Sequence, residues 1–183
     1  MKSSVFPQVR PLYIWEIQEA WRVFGSSLDY EHVRVHEGVR WTYMADRIGS
    51  WMKRTPYSGA PKALTLGYHC YFPLNLPATP VAIAHPDHYK MSWLIHELTH
   101  IWQFQRLGWR YMVIALQAQL RQGEKAYDFG DEIGLSERYR EGWKLADFNL
   151  EQQGDITRTY YERLCQGQDV SAWLPYIKEI QPV

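Results

Sequence analysis

Residues 93–100 read WLIHELTH, and within that segment His96, Glu97 and His100 are the side chains able to do chemistry. On an α-helix, residues four apart are offset by about 40° around the axis and about 6 Å along it, so His96 and His100 project from one face and can converge on one ion. Two imidazole nitrogens on a zinc ion, with an adjacent carboxylate in reach of a water, make a hydrolytic centre. The competing reading is the polar face of an ordinary amphipathic helix. The surroundings weigh against it, because Glu97 is the only formally charged side chain between Met91 and Gln105, among the apolar Leu94, Ile95, Leu98, Ile101 and Trp102. A carboxylate in so apolar a helix is costly to bury unless a cation or hydrogen bonds offset it.

Zinc in a hydrolytic site normally takes three protein ligands. The histidines are residues 32, 36, 69, 85, 88, 96 and 100, and none follows His100. The longer spacing HExxHxxGxxH is not met, since Gln103 and Arg106 stand where the glycine and the third histidine would be. A downstream third ligand would therefore be a carboxylate. Glu124, Asp128, Asp131, Glu132, Glu137, Glu141 and Asp147 fall in loop-like stretches, whereas Glu151 in FNLEQQGDI opens a helix. Asp155 lies one turn further on the same face, where a carboxylate can hold the far N–H of a ligating histidine. The alternative for this pair is a solvated helix start favoured by the helix dipole.

The elements that must position these residues predict an α+β fold. Leu12–Phe24 carries helical periodicity and stops at Gly25, and His32–His36 alternates as a half-buried strand with Val33 and Val35 on one face. Ala63–Phe72 reads as one strand with Gly67 as a bulge or a close backbone approach, ended by Pro73. Residues 40–62 carry no clear pattern. Asp87 is placed as the N-cap of the HELTH helix, which runs to Leu107 before Gly108; a second helical stretch spans Trp109–Arg121. Residues 122–147 read as loop with some helix. Asn149, with Gln152 as its capping-box partner, opens the helix Leu150–Cys165, and a tail follows that packs if Trp173, Leu174 and Ile177 find a groove. At 183 residues the expectation is a single domain, 1–183.

The blocks VFGSSLDYEHVRVH, ALTLGYHCYF, HELTHIWQFQ, AYDF and FNLEQQGDI, with Glu151 four residues before Asp155, resemble the gluzincin branch of the zincin metallopeptidases. More narrowly, they resemble the small zincin-like family associated with type VI secretion, Vgr-related proteins and contractile injection systems. The resemblance implies a compact zincin-like domain with a small N-terminal sheet and one zinc ion. It carries over His96, His100 and Glu151 as ligands, Glu97 as general base and Asp155 as support for a ligating histidine. It also implies a peptide or protein substrate laid along a cleft whose rim is TLGYHCYF, and a secretion-system spike protein or a cognate inhibitor as partner. Gly154 departs from the pattern, which has Ala after EQQ; the expectation is a looser helix with no effect on a ligand. The reading is a zinc metallopeptidase, with a catalytically weak zinc-bearing adaptor or a cell-wall amide hydrolase as alternatives.

Composition removes other classes. Lys+Arg 20 balance Asp+Glu 20 without a basic stripe, which argues against nucleic acid. The start of the chain lacks the pattern of a secretory signal and no window is apolar enough to span a bilayer, so the expectation is cytoplasmic synthesis, with export only through a specialised secretion system. Two cysteines without a CxxC pair give neither a disulfide framework nor a thiolate zinc site. Tyr127 and Tyr160 are candidate oxyanion donors but better read as packing residues. His69 reads as a surface imidazole that could face the cleft, and Cys70 as a small buried hydrophobe.

Overall fold

The computed structural model describes residues 8–39, 63–111 and 128–181. The expectations for 40–62, for 112–121 and for Tyr127 lie outside the described residues. The architecture is mixed α+β, as expected, with four short strands and five α-helices among the described residues. The strands are β1 (Gln8–Arg10), β2 (Arg34–Glu37), β3 (Leu64–Leu66) and β4 (His69–Tyr71). The helices are α1 (Ile14–Phe24), α2 (Tyr89–Leu107), α3 (Asp131–Arg140), α4 (Leu150–Cys165) and α5 (Leu174–Ile180).

The sheet has the order β1-β2-β4-β3, with β2 and β4 parallel and the outer pairs antiparallel. Val33 and Val35 are both fully buried, as their alternation requires. The stretch read as one strand over 63–72 is instead a hairpin. Leu66 pairs with His69 across the two-residue turn Gly67-Tyr68, and Gly67 takes φ +62°, the backbone that a tight hairpin turn demands at its first central position. Thr65 and Cys70 face each other across that hairpin and both point into the core.

α2 runs beneath the sheet and between it and α4, so it is covered on nearly every side. Its start differs from the expectation. His85, not Asp87, is the capping residue: its ring accepts from the Asp87 N–H at 3.0 Å and opens a 3-10 turn, Pro86–His88, from which α2 follows at Tyr89. Asp87 instead pairs with Lys90 at 2.8 Å. Asn149 and Gln152 cap α4 reciprocally, at 2.9 and 3.1 Å. In the tail, Trp173 and Ile177 are buried, whereas Leu174 faces outward and begins α5.

β1 has no legible pattern in its three residues; a buried charge fixes it. The Arg10 guanidinium forks onto both oxygens of Glu16 at 2.7 and 2.8 Å and reaches Glu37 at 2.7 Å, tying β1, α1 and β2 together. All three residues are buried, so each charge depends on the others for the solvation it has lost. Arg10→Met should lower the unfolding free energy by about 3–5 kcal/mol in a urea titration. Arg10→Lys should recover only part of that, because an ammonium cannot fork onto two carboxylates.

Candidate metal centre

One face of α2 carries Ser92, His96, Thr99 and Gln103 at spacings of four, three and four, the rhythm in which a helix normally presents apolar residues to a partner. Here the stripe is polar and buried, and α4 answers it bond for bond. Ser92 Oγ donates to Glu162 at 2.6 Å, His96 Nδ1 lies 3.1 Å from Asp155, the Thr99 and Thr157 hydroxyls are 2.6 Å apart, and Gln103 Nε2 donates to Leu150 O and to Gln153 at 2.9 Å each. The seam brings the amino-terminal turn of α4 against the histidine pair.

Those outer bonds fix which nitrogen of each ring points inward. The Asp155 carboxylate can only accept, so His96 carries its hydrogen on Nδ1. The Gln103 amide nitrogen is spent on Leu150 and Gln153, so its oxygen faces His100 Nδ1 at 2.9 Å and that ring is likewise protonated there. Each ring, when neutral, therefore presents its Nε2 lone pair to one point: the two Nε2 atoms are 3.2 Å apart, with Glu151 Oε2 at 3.4 and 3.6 Å. A tetrahedral ion with bonds of about 2.0–2.1 Å spaces its ligand atoms by about 3.4 Å, so the three atoms outline one face of such a shell. His96, His100 and Glu151 are the one group among the described residues that could hold a metal ion, and all three are buried.

The electrostatics point the same way. Burial opposes a charge on His96, yet Asp155 and Glu151 outweigh it and push its pKa up to about 10. Burial opposes a charge on His100 as well, and Glu151 again prevails and raises it. Burial favours the neutral form of Glu151, but the two imidazoles hold its carboxyl far below the usual carboxylate range. Without an ion, protons gather where three donor atoms converge. A cation at that point replaces them.

Glu97 lies on the sheet side of α2 and is buried. Thr65 Oγ1 donates to its Oε2 at 2.7 Å, which fixes the carboxylate from the edge strand. The structure thus brings together His96, His100, Glu151 and Asp155, and it places Glu97 next to His96 on α2 with its carboxylate on Thr65. The expectation that Gly154 touches no ligand is overturned, because its backbone lies against the His96 ring. Thr65 was not singled out, and Gln103 and Gly154 were noted only as departures from a pattern, without a role at the site. Gln103 left a signal for its role, three residues after His100 and so on the same face. Tyr160 is buried in the core, and His69 is exposed and hydrogen-bonded to His36 at 2.8 Å. Cys70 is buried, and burial, with Glu97 nearby, pushes its thiol pKa up, so it stays protonated.

The sign of the His96 shift gives a pH dependence. Its folded pKa of about 10 stands above the ordinary 6.5, so its contribution to the ion-free fold is complete below about pH 6.5 and is lost as pH rises through about 10. In a chelating buffer the thermal midpoint should fall between about pH 7 and pH 10. That fall should vanish in His96→Gln and flatten when a divalent metal is added.

No protein-family model matches the chain, and no solved structure matches it. The chain is 31% identical over 152 residues to the type VI secretion system spike protein VgrG2b of Pseudomonas aeruginosa. That similarity takes in 83% of this chain and 13% of the spike protein, so the chain spans a small part of the length of the relative it matches.

Proposed function

We propose that this chain is a zinc-dependent metallopeptidase that hydrolyses peptide bonds in association with a type VI secretion spike. The observation that carries the reading is the convergence of His96 Nε2, His100 Nε2 and Glu151 Oε2 within 3.2–3.6 Å, with Glu97 next in sequence to one ligand and held by Thr65. Two imidazoles and a carboxylate are a donor set that suits zinc in an open, catalytic site. Zinc bound there would acidify a water towards neutrality and draw charge from a carbonyl oxygen.

The chain's own residues supply the rest. Thr65 occupies one oxygen of Glu97, and we assign proton transfer to the other. Glu97 takes a proton from water as the carbonyl carbon is attacked and passes it to the amine as the C–N bond breaks. Asp155 and Gln103 keep the ligating rings in one tautomer and orientation throughout. β3 closes one end of the sheet among the described residues and touches Glu97 through Thr65. An extended peptide adding to that edge would be laid beside the base. The secretion setting is supported by the similarity to a protein named as a type VI spike.

Purified protein should carry one zinc per chain, and His96→Ala should lose it; a wild type without stoichiometric zinc ends the proposal. Against a quenched-fluorescence peptide library, Glu97→Gln should keep the zinc and lower turnover by about 100- to 10,000-fold. A second reading draws on the same relative, which is named as a spike component and not as an enzyme. In that reading the chain is a zinc-bearing adaptor, and Glu97→Gln then equals wild type in every assay while zinc stays bound.

A further inference from the structure

Gly154 sits inside α4, where glycine is among the poorest residues for helix formation, and nothing about the helix itself calls for it. The call comes from across the seam. A Cβ at position 154 would lie 2.7 Å from Cε1, 2.9 Å from Nδ1 and 3.0 Å from Nε2 of His96. Three ring atoms at nearly equal distance mean that the imidazole rests with its face against the helix backbone.

Neither side has room to yield. Asp155 holds Nδ1 at 3.1 Å, while Nε2 is committed to the cluster, 3.2 Å from His100 and 3.4 Å from Glu151. Thr99 and Thr157 join the helices at 2.6 Å one turn along, so α4 cannot move out without breaking that bond. Glu151, Gly154 and Asp155 together form a cradle: a carboxylate at each nitrogen of the ring and bare backbone under its plane.

We infer that Gly154 is a positioning residue of the metal centre. Its missing side chain lets α2 and α4 approach until His96 meets Asp155 through one nitrogen and an ion through the other. The inference rests on the metal-binding part of the proposed function and not on hydrolysis. The space that an alanine methyl would need at this position is taken by the ring.

The test is zinc affinity, read by competition with a colorimetric chelator, for wild type, Gly154→Ala and His96→Ala, together with thermal unfolding of the zinc-free proteins and of the double variant. Gly154→Ala should bind zinc about 10- to 100-fold more weakly. In the His96→Ala background, Gly154→Ala should hold or raise the unfolding midpoint, because the obstruction is gone and alanine is the better helix former. If Gly154→Ala fails to fold but the double variant folds, the ring is again the obstruction and the inference stands. Zinc affinity equal to wild type overturns it and leaves the metal centre intact. A double variant that unfolds below His96→Ala overturns it too, since the glycine then serves backbone packing alone. A wild type that binds no zinc removes the metal centre, and this inference with it.

Discussion

The structure depends on a buried polar seam between α2 and α4. Two helices usually meet through apolar side chains, whose removal from water needs no partner. Here Ser92, His96, Thr99 and Gln103 stand at those positions, and each must find a hydrogen bond or lose the solvation it had in water. Because every one of them does, the seam has one register: a shift of α4 by a single turn would break all of the pairs at once. The carboxylate that completes the cluster therefore arrives opposite the two histidines as a consequence of the packing.

The sheet plays a different part. Arg10, Glu16 and Glu37 bind its first two strands to α1 by charge, and its last hairpin lies on α2. Thr65 reaches from β3 to Glu97, so the face of α2 that looks at the sheet and the face that looks at α4 are both anchored. A helix held on both sides cannot rotate to relieve strain at one of them. His96 and Glu97 adjoin in the chain, about 100° apart around the helix axis, so that one meets α4 and the other meets Thr65, and their relative placement is set by the backbone between them.

Much of the site was legible because its chemistry follows helical spacing. His96 and His100 share a face by arithmetic, as do Glu151 and Asp155, and the absence of any later histidine pointed to a carboxylate. Capping at Asn149 was legible for the same local reason. What spacing cannot express is contact between elements far apart in sequence. Thr65 meets Glu97 across 32 residues, and Gly154 meets His96 across 58, so neither contact was legible, although a glycine inside a helix was itself noticeable. The hairpin was read as one strand because alternation continues through a two-residue turn, and only the backbone at Gly67 separates a turn from a bulge. The capping role of His85 was missed because a histidine ring is an uncommon acceptor at a helix start.

A seam built from reciprocal partners also limits how such a sequence can drift. Changing Thr99 alone leaves the Thr157 hydroxyl only the Gly154 carbonyl, and changing Thr157 alone leaves Thr99 only the Ile95 carbonyl. Replacing both by apolar groups of similar shape is close to neutral. Tolerated histories at these positions therefore pass through compensated double steps, and across related chains the two helices should register as coupled columns. The same reasoning excludes the rows of the candidate metal centre, where a change at His96, His100 or Glu151 removes a donor atom that no second substitution elsewhere restores. Substitution along this interface thus has two physical costs: a recoverable one in the spacer rows, where a paired exchange restores the packing, and an unrecoverable one in the row that holds His96.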